Sequence, residues 1–146
     1  MNIAGDPRAR FVQFVANRTG QPIEAARTAL DQSLELDTEL DDGVQDRLEL
    51  AARSAIERNQ AKKAGQPDPG NEFGEKNPLA AAAFEEMLDD VAHITQTTPE
   101  PTAVESGGEG IFAIDFEHPE HSYHGTLFVD TTPQHDGVTL YYAKRG

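Results

Sequence analysis

The 146-residue chain contains neither cysteine nor tryptophan. Without cysteine there is no disulfide, no thiol nucleophile and no thiolate metal site. Long apolar runs are also missing, and the first ten residues are polar. Neither a leader peptide nor a membrane-spanning helix is therefore expected, and a cytoplasmic location is the expectation. Positive charge is the scarcest commodity: 12 Lys and Arg stand against 26 Asp and Glu, a formal net charge of -14. Such a surface is repelled by nucleic-acid phosphates instead of displacing their counterions, and it is repelled by anionic membranes for the same reason. With 37% hydrophobic residues the chain can still bury a core.

The imbalance is local. Residues 1–65 hold 9 basic and 11 acidic residues, whereas residues 66–146 hold 3 basic and 15 acidic. Within the first half, the stretch 31–46 carries seven acids and no base. From 77 to 143 there is no Lys or Arg, and all five His lie in that stretch.

Hydrophobic spacing gives the elements. Asp6-Pro7 is a helix start, and Phe11, Phe14, Val15 and Arg18 follow at helical spacing until Gly20. Pro22 opens a second helix with Ile23, Ala26, Leu30 and Leu34 as its stripe. Asp42 and Gln45 form a capping-box pattern for a third helix carrying Val44, Leu48, Ala51, Ala52, Ala55 and Ile56. The segment from Arg18 to Leu30, with its Thr19-Gly20 turn, resembles small ubiquitin-associated-type three-helix domains. That resemblance implies three-helix packing and carries no binding residues with it. Segment 66–76, with two Pro and two Gly, reads as a linker. Asn77-Pro78 then starts a fourth helix over 78–95, where Phe84, Met87, Leu88, Val91 and Ile94 recur at helical spacing. Residues 97–110 are polar and read as a mobile connection. Alternation then predicts strands over 111–117, 123–130 and 138–143.

The fold class expected is α+β: a three-helix module at 1–65, a linker at 66–76, and an acidic unit at 77–146 in which a helix covers a three-stranded antiparallel meander. The two parts are read as two units or as one domain.

Two constellations bear chemistry. On the fourth helix Glu85, Glu86, Asp89, Asp90 and His93 fall within roughly 140° of the helix circumference. Their simplest role is a solvated acidic face opposite the apolar stripe; the alternative is a divalent-metal site. Around the first strand turn, His118, His121 and His124 are spaced by three, with Glu117 and Glu120 between them. Imidazoles in that pattern suit zinc, and a polar hairpin tip is the plainer reading. No Gly-x-Ser-x-Gly setting surrounds Ser33, Ser54, Ser106 or Ser122. The glycine-rich run Gly107-Gly108-Glu109-Gly110 precedes a strand instead of a helix and holds an acid, which argues against phosphate binding.

The leading expectation is a non-enzymatic, acidic protein-binding module without a cofactor. It would act as an inhibitor or regulator that docks the basic surface of a nucleic-acid-handling protein, such as a nuclease or DNA-binding protein, in the manner of a DNA mimic or immunity protein. The partner-binding residues expected are Glu85, Glu86, Asp89, Asp90, Asp115, Glu117 and Glu120. Two alternatives stand beside it: a zinc-dependent hydrolase or metal-binding protein using His118, His121 and His124, and a two-part adaptor binding different partners through its halves.

Overall fold

The first helix, α1 (Ala9–Thr19), forms because Phe11, Val12, Val15 and Ala16 fall on one side and are all buried. Gly20 ends it in the left-handed conformation (φ 72°), its N–H donating to the carbonyl of Ala16. The computed structural model describes residues 8–35, 42–108, 110–118, 123–131 and 138–145, so the Asp6-Pro7 start lies outside the described residues. Helix α2 (Ile23–Ala29) follows Pro22 and tightens into a 3₁₀ turn at Leu30–Gln32. The expected helix does not reach Leu34. Ser33 is already extended, and Leu34–Glu35 forms a short strand, β1, so tertiary strand pairing overrides the helical pattern.

Helix α3 (Asp42–Lys63) buries Leu48, Ala51, Ala52 and Ile56. The 66–76 segment is not wholly irregular, because it contains the short helix α4 (Glu72–Lys76). Helix α5 spans Pro78–Thr95 as the spacing predicts, with Ala80, Ala83, Phe84, Met87 and Val91 buried. Asn77 does not cap α5 through its side chain; its Nδ2 donates to the carbonyl of Phe73 at 3.0 Å and closes α4 instead.

The remaining elements are β2 (Glu100–Gly108), β3 (Ile111–His118), β4 (Tyr123–Asp130) and β5 (Thr139–Arg145). The sheet is antiparallel throughout, in the order β1-β5-β4-β3-β2. The fold is α+β, but the meander has four strands, not three, with two-residue β1 added at one end. Strand β2 occupies the stretch expected to be a mobile connection. Its polarity follows from its place: β2 has only β3 as a neighbour, and its exposed positions Ala103, Glu105 and Ser106 take no part in a core. Pro101 and two register irregularities fit an outer strand, where a missing N–H breaks no ladder.

Both faces of the sheet are covered. One face presents Phe112, Ile114, Phe116, Leu127, Val129 and Leu140, packed with the buried stripes of α3 and α5. The other presents Ile111, Ala113 and Phe128, packed with α1 and α2. The first three helices therefore do not share one core of their own, because α3 packs on the opposite face of the sheet from α1 and α2. No helix among the described residues is long and apolar enough to cross a membrane.

Candidate functional site

Helix α5 owes its charged ridge to its apolar stripe. Burial of Phe84, Met87 and Val91 turns the opposite side outward, and on it Glu85, Asp89 and His93 follow at four-residue steps, all exposed. Glu86 and Asp90 flank this ridge, half-buried. Two large apolar side chains lie exposed near the two ends of the same helix, Leu79 and Ile94.

Several cations of the first half are held by acids of the second. Arg18 on α1 reaches across the α1–α2 face to Glu105 on β2 and to Asp115 on β3, the latter at 2.8 Å. Thr126 on β4 donates to the same carboxylate at 2.9 Å. One guanidinium thus ties a helix to two strands, and a hydroxyl from a third completes the cluster. Lys63, near the end of α3, contacts Glu100 at 2.7 Å. The hydrogen bond to Glu100, helped by the fields of Glu100 and Glu117, holds its ammonium above the ordinary lysine range.

These contacts sort the expected partner-binding residues. Glu85, Glu86, Asp89 and Asp90 are brought together on α5. Asp115 lies on the other side of the sheet, within an internal ion pair. Glu117 pairs across the sheet with His124 and faces the same side as Asp115. Glu120 lies outside the described residues.

The histidines are dispersed. His118 is buried beside Phe116 on the α3–α5 face, its Nε2 sharing a hydrogen bond with the hydroxyl of Tyr142. Its ring meets that of Tyr142 edge-on at 5.8 Å. His124 is exposed, and strand alternation puts it on the opposite face. The structure does not bring these two imidazoles together, and His121 lies outside the described residues. Among the described residues no group of three or more His, Asp or Glu converges as metal donors.

No family model matches this chain, and neither a curated protein nor a solved structure matches it.

Gly125 is the residue whose meaning only the fold reveals. A Cβ at this position would sit 1.7 Å from the hydroxyl of Tyr142. The absence of a side chain therefore opens the path by which Tyr142, on β5, crosses β4 to reach His118 on β3. A glycine inside a strand is the sequence signal for such close approach, and the glycine between Tyr123 and Leu127 carries it. The run Gly107-Gly108 serves similarly: a Cβ on Gly107 would lie 2.6 Å from the ring of Phe14 on α1.

Two hollows flank β5. One, of about 250 Å³, lies on the α5 side between Val91, Ile94, Leu127, Leu140 and Tyr142, with Asp90 at its wall. The other, of about 400 Å³, is more polar and is bordered by Arg18, Thr19, Gln21, Tyr141 and Ala143.

Proposed function

We propose that this protein is an acidic, non-enzymatic binding module that docks a basic surface of a nucleic-acid-handling protein, as an inhibitor or regulator does. The observation that carries the reading is the outer ridge of α5. Glu85 and Asp89 stand exposed in line, Glu86 and Asp90 flank them, and the helix holds no Lys or Arg. Elsewhere, basic side chains are engaged locally: Arg18 with Glu105 and Asp115, Lys63 with Glu100, Arg58 with Asp68, and Lys76 with Glu72. A uniform acidic ridge accelerates encounter with a cationic surface and selects against anionic ones.

The test is capture of partners at low salt, elution with a salt gradient and identification by mass spectrometry. For a captured partner, Glu85→Lys with Asp89→Lys should weaken binding by tenfold or more. Affinity should also fall steeply with ionic strength, because exposed charges are screened within about 8–10 Å at ordinary salt. Tight binding that persists at high salt and ignores the charge reversal counts against the reading.

A further inference from the structure

The two outer edges of the sheet are not equally defended. Along β2, helix α3 lies close: Gln60 donates to the carbonyl of Thr102 at 3.1 Å and Lys63 bonds Glu100. Pro101 and the register irregularities further spoil that edge as a template for another strand. On the other side, β1 covers β5 only at Thr139 and Leu140. The chain before β1 turns away through Ser33 into the 3₁₀ turn at Leu30–Gln32. Beyond Leu140, the outer side of β5 carries no strand among the described residues.

The two hollows lie beside this same stretch, one on each face of the sheet. Leu140 and Tyr142 turn toward the hollow under α5, whereas Tyr141 and Ala143 turn toward the one beside Arg18. A strand laid against β5 would send successive side chains to opposite faces, and hence alternately toward the two hollows. Main-chain hydrogen bonds to an open edge, with pockets for alternate side chains, are the physical basis of recognition by strand addition.

We propose that residues 141–144 of β5 receive an extended segment of a partner protein as an added strand. Its apolar side chain enters the hollow between Val91, Ile94 and Leu140, and a Lys or Arg of the same segment faces Asp90. The occupant is a basic-apolar segment because the hollow is mainly apolar while its charged wall residue, and the helix ridge beyond it, are acidic. A second copy of this chain is a poor occupant, since each copy carries a net charge of -14. The proposal rests on the binding-module reading and adds the place and the form of the contact.

The probe is a phage-displayed library of random peptides of about ten residues, the length of a long strand, selected on the full-length protein. A selected peptide is then titrated into isotopically labelled protein. Expected are peptides pairing an apolar residue with nearby Lys or Arg, and slowed amide exchange by at least tenfold at 141–144. N-methylation of the alternate peptide amides that face β5 should weaken binding about tenfold, and methylation of the other set should not. Ile94→Lys, a change at an exposed position, should weaken it by a similar factor. Peptides that perturb only Glu85 and Asp89 would overturn the edge proposal and leave the acidic-module reading standing. Protection at 141–144 appearing without peptide as protein concentration rises, or selection yielding no binder, would also overturn it. Binding at 141–144 that ignores salt would uphold the edge site and defeat the charge-driven reading.

Discussion

The two faces of the sheet are closed by different chemistry. On the α3–α5 face the contact is apolar almost throughout, with Phe84, Met87 and Leu48 over Phe112, Ile114 and Phe116. On the α1–α2 face the apolar patch is smaller, formed by Phe11, Val12 and Val15 over Ile111, Ala113 and Phe128. Phe14 meets Phe128 edge-on at 5.7 Å, and the Arg18 cluster fixes the border. Apolar burial is strong but undirected, so it supplies the bulk of the stability. The Arg18 cluster adds less energy but demands one geometry, because a guanidinium satisfies two carboxylates only in a narrow range of positions. The difference suggests that one face sets how firmly the protein folds and the other sets how the N-terminal helices are placed.

The largest expected effect comes from the apolar face. Phe84→Ala should lower stability by about 3–5 kcal/mol, and Leu48→Ala by about 2–5 kcal/mol. Leu48 belongs to residues 1–65 and Phe84 to residues 77–146, yet both pack in the same cluster with Phe112. Each substitution should therefore shift one and the same unfolding transition in calorimetry. Two transitions, of which each variant moves only one, would show that the halves fold independently and would revive the two-part adaptor.

Next in size is the glycine that lets Tyr142 lie across β4. Gly125→Ala must displace the tyrosine and disturb its hydrogen bond to His118, at a cost of about 1–3 kcal/mol. In a Tyr142→Ala background the added methyl has room, so the same change should become nearly neutral. A full penalty in both backgrounds would mean that Tyr142 is not what Gly125 accommodates.

A smaller loss is expected on the other face. Arg18→Met keeps the aliphatic stem and removes the charge, leaving Asp115 and Glu105 near each other without their guanidinium. Asp115 is about one-third exposed and Glu105 more so, and solvent screening limits the loss to about 1–2 kcal/mol. Combining Arg18→Met with Asp115→Asn should give a non-additive result, measured by denaturant unfolding as a coupling above about 0.5 kcal/mol. Additivity would reduce the cluster to surface ornament and erase the contrast between the faces.

How far the sequence revealed this arrangement depends on which physical signal each element carries. Helix α5 was legible because Phe84, Met87 and Val91 repeat at helical spacing and Pro78 marks the start. Strands β3 and β4 were legible because they alternate. Strand β2 was not, since an edge strand is selected to be polar and irregular, and Thr102, Glu105 and Ser106 look like a loop. The opposite placement of α1 and α3 was hidden for another reason: amphipathic spacing says that a helix has a buried side but not which surface covers it. Among the site residues, the α5 ridge could be read from periodicity alone. The role of Asp115 could not, because Arg18 is 97 positions away in the chain. His118 and His124 looked equivalent by spacing, and only strand alternation about the intervening turn separates a buried imidazole from an exposed one.

The smallest effect lies at the border of the apolar face, where the segment after α3 is tied back to it by Arg58 and Asp68. The Arg58 hydrogen bonds, with a second from the Gly70 N–H, hold the Asp68 carboxyl below its ordinary value of 3.8. A depressed carboxylate pKa contributes stability that is present above the ordinary value and is lost as pH falls through the lower folded one. Both partners are exposed, so the unfolding midpoint of Asp68→Asn at neutral pH should match that of the parent within error. The local tether should respond where the global fold does not. Amide exchange in 64–71, corrected for its intrinsic pH dependence, should be faster in Asp68→Asn than in the parent at neutral pH, and the two should converge as the parent carboxylate protonates in acid. Equal exchange at neutral pH would show that this ion pair restrains nothing, and that the apolar contacts of α4 and α5 alone hold the edge of the α3–α5 face.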